Sequence, residues 1–499
     1  MTFCTPRSAE SLRSCVVSPA EIAMIRTLSL AFALATTVSA QAADKPTGIP
    51  ESALKAAVGL REHALVDDTA WNFVEGLSTE IGPRLAGSEN DAKAREWVIA
   101  KFKALGFDKV WTEPVTYPKW VRRSEHAELT APFAQKLAVL ALGYSPATPN
   151  GAISADVVGF ESLDALKAAP DASVRGKIVY VGPRMHVTKD GRDYGMVGSP
   201  VRTKGPSLAA SKDAAAFLLR SAGTDDNRLP HTGVTNFEKG VTPIPAAALS
   251  NPDADLLEHV LKRGKPTTMT LALDCGIEGE YTGANVIGEI EGREKPREYF
   301  VMGGHLDSWD PGTGAIDDGA GIAIATGAAH MIAQLPQRPR RSIRVVAFAN
   351  EEAGLFGGNA YAAAHAKDIA AAVLGSESDL GADRIWKITA SVKPAARDAI
   401  SQIADLVKPL GVEYDASAPG RGGSDLSAVH AVGMAGVSLH QDATRYFDWH
   451  HTANDTLDKV DPEQLRQNVA VYTVVAYLAA EADGDFGSSP GAFSEDKAE

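Results

Sequence analysis

Residues 298–319 read EYFVMGGHLDSWDPGTGAIDDG, and this stretch decides the fold. Glu298 to Met302 form a short, mainly apolar run of strand type. Gly303-Gly304 ends the run, and His305, Leu306 and Asp307 follow at once. Asp317-Asp318 then opens an apolar, Ala-rich stretch, near Gly319 to Leu335, that reads as a helix. A strand followed by a helix is the repeating unit of a parallel α/β sheet.

The pattern recurs downstream. Ile343 to Ala349 ends in Asn350-Glu351-Glu352, and Ala370 to Gly375 ends in Glu377-Ser378-Asp379. Ala435 to Leu439 is a fourth strand, and helices are expected near Asn359–Ala366, Ala395–Val407 and Pro462–Ala480. The fold class is therefore α/β, a mixed, mostly parallel sheet flanked by helices. In such sheets the ligand crevice lies at the carboxyl ends of the strands. Each polar group has an ordinary reading alone: Glu351-Glu352 as a solvated loop, Asp317-Asp318 as a helix cap. Together they crowd several carboxylates at one sheet end, where they repel unless cations neutralise them. Imidazole mixed with carboxylate suits zinc, with manganese or cobalt as alternatives. Trp449-His450-His451-Thr452-Ala453-Asn454-Asp455-Thr456 supplies further imidazole. His63, His126, His186, His231, His259, His330 and His365 lack such company, and His430 and His440 read as structural.

Upstream, Ser52 to Ala70 reads as a helix and Thr69 to Thr79 continues it. Gly82-Pro83-Arg84-Leu85-Ala86-Gly87-Ser88 is turn-rich. Ser88 or Asn90 could cap a helix from Asp91 to Leu105, and Val110 to Tyr117 alternates like a strand. Between about Glu125 and Leu273 the texture changes to short β-like segments such as Lys177–Val181. Two helical stretches, Lys212–Ala222 and Asp253–Arg263, interrupt them. This block is expected to be a separate β-rich domain inserted into the first. The division is a catalytic domain in two segments, 43–124 and 278–482, an insertion at 125–277, and a polar tail, 483–499, expected to be disordered.

The chain has 499 residues, enough for two or three domains, with 44% hydrophobic and 22% charged residues. Its net charge of −14 argues against a general nucleic-acid binder. Arg26, the apolar run Leu28–Val38 and the small residues after it have the order of a secretory signal peptide. Residues 1–42 would then be an upstream extension plus signal, with Met24 as the start and a periplasmic or secreted destination. Cleavage would remove Cys4 and Cys15 and leave Cys275 without an internal partner. No later run reaches 18 apolar residues, so no membrane span is expected.

The ordered set Gly82–Ser88, Gly303–Trp309, Asp317–Gly319, Glu351-Glu352, Ser378-Asp379 and His451-Thr452 with Asp455-Thr456 resembles the co-catalytic di-zinc aminopeptidase/glutamate carboxypeptidase family. The resemblance implies two zinc ions bridged by Asp317, one completed by His305 and Asp379, the other by Glu352 and His451. It also implies a water shared by both ions, Glu351 as general base, Asp307 as the carboxylate orienting His305, and a cis peptide at Asp317–Asp318. Some relatives carry Tyr where His450 stands, and His450 could likewise donate to the oxyanion. Val174–Val179 and Ile244–Ser250 resemble a protease-associated domain. Arg421 could pair with a substrate carboxylate, though a solvated turn is its ordinary reading. The function implied is a metallo-exopeptidase for dipeptides or short peptides. The alternatives are an aminopeptidase on longer peptides and an inactive binding protein of the same fold. Expected partners are a peptide substrate and, at the level of assembly, a second copy of the chain.

Overall fold

The apolar run at Tyr299–Met302 belongs to a strand, Lys295–His305, whose residues are buried from Tyr299 onward. Burial on both faces requires cover on both sides of the sheet, as helices give a parallel α/β sheet. The computed structural model, which describes residues 45–494, has this arrangement. Lys295–His305 pairs in parallel with Arg341–Phe348 on one side and Ala372–Glu377 on the other. The registers place Phe348 beside His305 and Glu377 beside Gly303, so the three carboxyl ends lie level. Gly436–Gln441 joins in parallel, and Ile385–Ser391 and Thr268–Ile290 add antiparallel strands. The expected mixed, mostly parallel sheet flanked by helices is the fold observed.

Helix Ala320–Ala333 is buried along nearly its whole length, between the sheet and helices Glu51–Ala64 and Pro462–Glu481. Phe300 and Met302 face this core, while Val301, Val346 and Phe348 face Tyr361 and Leu426 on the other side. The predicted helix from Ser52 divides into Glu51–Ala64 and Thr69–Gly76. Asp67 causes the break, its carboxylate accepting from the Thr69 N–H at 2.9 Å. Ser88 caps helix Glu89–Ala104 by accepting from the Asp91 N–H.

The expected borders at 125 and 277 both fall inside strands. Lys109–Ala131 and Thr268–Ile290 form one long antiparallel ribbon. Its near end joins the central sheet through Arg341–Phe348, and its far end pairs with Ile153–Phe160. The change in sequence texture thus marks a change of neighbours along continuous strands. Beyond the ribbon, Ile153–Phe160, Ile178–Val181, Ala216–Arg220 and Ala246–Leu249 run parallel to one another. Helices Ser199–Ala210 and Asn251–Lys262 accompany them.

Two expectations fail here. Lys212–Ala222 is not helical: Ala216–Arg220 is a fully buried strand, and the helix comes earlier, at Ser199–Ala210. A short, continuous apolar run fits either element, and parallel neighbours on both sides decided for strand. The tail is ordered through Ser494. Phe486 is fully buried, the Asp483 N–H donates to Gly48 O and the Ser489 N–H to Gly433 O. Backbone pairing and one apolar anchor outweigh the polar composition. The proposed leader, Met24 and residues 495–499 lie outside the described residues. Among the described residues no helix is long and apolar enough to cross a membrane.

Candidate metal centre

The level strand ends bring the predicted polar residues to one cavity of about 450 Å³, lined by Asp317, Glu351, Glu352, Asp379, His450 and His451 among others. His305 closes its strand with Nε2 at 3.1 Å from Asp317 Oδ1 and 3.5 Å from Asp379 Oδ1. His451 places Nε2 at 2.8 Å from Glu352 Oε2 and 3.3 Å from Asp317 Oδ2. Asp317 therefore turns one oxygen to each imidazole. Around a tetrahedral ion with bonds of about 2.0–2.1 Å, ligand atoms stand about 3.3 Å apart, and these separations bracket that value. Asp317 Oδ2 and Glu352 Oε1 are buried without a hydrogen-bond partner. Two acceptor-only carboxylates left short of donors, beside two imidazole nitrogens, suit zinc.

Both imidazoles are oriented by backbone carbonyls. His305 Nδ1 bonds the Asp307 carbonyl oxygen at 2.9 Å, and His451 Nδ1 bonds that of Thr232 at 3.1 Å. Tying Nδ1–H to an acceptor leaves Nε2 as the ligating nitrogen. This corrects the expectation for Asp307: its carboxylate lies farther from His305 Nδ1, at 3.7 Å, and accepts from the Glu351 N–H at 3.0 Å. Ser424 holds Asp379, its hydroxyl donating to Oδ2 at 2.6 Å, and the Trp309 indole N–H donates to Glu352 Oε2 at 2.6 Å. The Asp317–Asp318 peptide is cis. Asp318 accepts from the N–H groups of His305 and Gly321, with a carboxylate oxygen within 4.8 Å of His305 and Asp379 ligand atoms. Its ordinary reading, a helix cap, describes it well.

The charge is unbalanced. Burial, then Asp379, holds the Glu351 carboxyl well above the usual range, and burial likewise raises Glu352. Burial opposes charge on His305 and His451, yet the carboxylates win. Asp317 and Asp379 raise His305, and Glu352 and Asp317 bring His451 up to about 9. Asp317 is held low against burial by His305 and His451. The site attracts cations, as crowded carboxylates must. His450 is different. Burial, then His451, pushes its pKa well down and leaves it neutral. It stacks on His451 at 3.5 Å between ring centroids, and its Nε2 lies 3.7 Å from Asp317 Oδ2.

The turn-rich segment Gly82–Ser88 works from behind. Arg84 is fully buried and donates to the carbonyls of Leu306, Thr313 and Gly314, pinning the loop between His305 and Asp317. Asp455 accepts from the Ile316 N–H at 2.8 Å and fixes the same loop from the other side.

Other histidines stay apart from this cluster. His231 bonds Asp225 at 2.5 Å, His365 bonds Glu113, His430 the Met434 carbonyl and His440 the Thr389 hydroxyl. Arg421 lines an adjoining cavity of about 520 Å³ that shares Asp379 and Ser424 with the first. Sequence reasoning allowed the inserted block a part in shaping access but named none of its residues at the site. Tyr194, Arg202 and Val234 line the cavity, and Arg202 Nη2 donates to the Tyr194 hydroxyl at 2.6 Å. Nothing local in those segments marks them, because they meet the site only through the fold.

A description of peptidase family M28 matches residues 285–476. Carboxypeptidase Q of Mus musculus is 32% identical over 434 residues, 87% of this chain and 90% of that protein. The crystal structure of a peptidase M28 precursor from Shewanella amazonensis SB2B is similar at 45% identity and a TM-score of 0.85, over 88% of this chain and 99% of that one. A zinc aminopeptidase from Bacillus subtilis, at 18% identity and a TM-score of 0.59 over 84% and 97%, shares the fold. Near-complete coverage of a relative at this identity, with the fold and cluster above, makes the conclusion direct: the chain belongs to peptidase family M28 and is a metallopeptidase.

Proposed function

We propose that the chain is an exported exopeptidase that holds two zinc ions and hydrolyses dipeptides or short peptides. One observation carries this reading: Asp317 presents one oxygen to His305 and the other to His451, each imidazole having a second carboxylate beside it. His305, Asp379 and Asp317 would hold one ion, and Glu352, His451 and Asp317 the other, with manganese or cobalt as substitutes. When bound, zinc acidifies water and polarises a carbonyl oxygen.

The chain's own residues do the rest. Glu351 faces the same cavity and acts as general base. It takes one proton from the attacking water, whose oxygen bonds to the scissile carbonyl carbon. As the C–N bond breaks, Glu351 passes that proton to the leaving amine. Neutral His450 keeps an N–H to offer the oxygen on which charge develops. Arg202 brings a guanidinium into the cavity that holds these carboxylates and imidazoles, and would pair with the free carboxylate of a dipeptide. Residues 125–277, read as protease-associated-like, shape access to the site.

A panel of dipeptides blocked at either end tests the reading. Hydrolysis that is lost on blocking the carboxyl end supports it. Loss only on blocking the amino end makes the enzyme an aminopeptidase on longer peptides. No hydrolysis by zinc-loaded protein leaves an inactive binding protein of the same fold.

A further inference from the structure

The Arg122 guanidinium lies buried on the long ribbon, where three segments meet. Its Nε donates to both oxygens of Asp310, at 3.1 and 3.0 Å. Nη1 donates to Glu125 Oε1 at 3.0 Å and to the Ala141 carbonyl at 2.8 Å, and Nη2 to Thr232 Oγ1 at 3.1 Å. Two of these acceptors lead to the metal centre. Asp310 follows Trp309, whose indole N–H donates to Glu352. Thr232 grips His451 twice, its N–H donating to the His451 carbonyl at 3.1 Å and its own carbonyl accepting from Nδ1. That grip matters because His451 has a left-handed backbone, φ 62°, which a non-glycine residue keeps only when its surroundings hold it. The bonds that orient His305 and Asp379, from the Asp307 carbonyl and the Ser424 hydroxyl, do not pass through Arg122.

We propose that Arg122 is a positioning residue for one half of the metal centre, the Glu352–His451 half. Resting on the two-ion reading above, the inference is that one planar cation locks the inserted block and the loop after His305 into the register that half requires. The rigid fork is essential, since an ammonium cannot span acceptors on three segments.

Zinc content and affinity of the full chain, read by chelator competition, test this. The wild-type chain retains two equivalents. Arg122→Gln retains one at wild-type affinity and binds the other about 10–100-fold more weakly. Arg122→Lys, which keeps the charge and carries the test if the first variant fails to fold, weakens the same equivalent. Arg220→Gln removes another buried guanidinium of the inserted block, paired with Asp255 and Glu258, and keeps both equivalents despite a lower Tm. His451→Ala removes the same half outright, so adding Arg122→Gln to it leaves the remaining equivalent unchanged. Equal weakening of both equivalents, or none, in the Arg122 variants overturns the assignment. A wild-type chain that binds fewer than two equivalents overturns the two-ion reading instead.

Discussion

At the scale of single residues, the proposed mechanism gives the neighbours Glu351 and Glu352 opposite tasks. Glu352 is tied between Trp309 and His451, while Glu351 is held through its backbone by Asp307 and Gly354 and points its carboxylate into the cavity. Glu351→Gln keeps the shape and removes the proton acceptor. Metal content should stay at the wild-type value while kcat falls about 10²–10⁴-fold. His450→Ala should also spare the metal and lower kcat with little change in KM, because in the proposed mechanism its N–H is offered only as charge develops. Both are read by steady-state kinetics beside metal analysis. These residues were legible in the sequence because each follows a strand end or sits in a dense polar motif. The Asp307 carbonyl, Thr232 carbonyl and Ser424 hydroxyl were not, since backbone acceptors and isolated serines carry no signal of their own.

At the scale of elements, loops do the work and packing holds them. Gly143 lies against Trp309 so closely that an added Cβ would come within 2.2 Å of the indole. Gly143→Ala should cost about 1–3 kcal/mol in denaturant unfolding, the usual penalty of overpacking. It should also loosen Glu352, which the same indole supports. The tail behaves as part of the fold, so Phe486→Ala should lose about 3–5 kcal/mol by the same measurement. The strands around His305, Glu351 and Asp379 were readable because apolar runs ended sharply in polar groups. Ala216–Arg220 was not, because five apolar-dominated residues have no period to read. Whether they lie in a helix or a strand depends on Ile178–Val181 and Ala246–Leu249, which are distant in sequence.

At the scale of the whole molecule, stability should follow the ions and the pH. Stripping the metal leaves Asp317, Glu351, Glu352 and Asp379 facing one another, so chelation should lower Tm and added zinc restore it. Ligand linkage is worth about 4 kcal/mol at a thousandfold excess over Kd. His440 gives a separate acid limb. Burial, then Lys387, lowers its pKa to about 4, whereas in the unfolded chain it titrates near its ordinary 6.5. Between these values the unfolded state binds the extra proton, so stability rises with pH across the window and is lost as pH falls through it. Urea midpoints at pH 7 and pH 5 should therefore differ less in His440→Asn than in the wild-type chain. The sequence alone determined the α/β class, the strand ends that carry the polar groups, and the membership those motifs announce. The first two follow from local patterns of apolar and charged residues, and the third from the resemblance of the ordered motifs to a known family. Only the tertiary structure decided which oxygen of Asp317 meets which imidazole, that both imidazoles are fixed by backbone carbonyls, and that a block inserted far upstream supplies Arg202 and Thr232 to the site. The reason is physical: the contacts of His451 with Arg202 and Thr232 join residues 249 and 219 positions apart, and their geometry exists only once the sheet and the long ribbon have set the segments side by side.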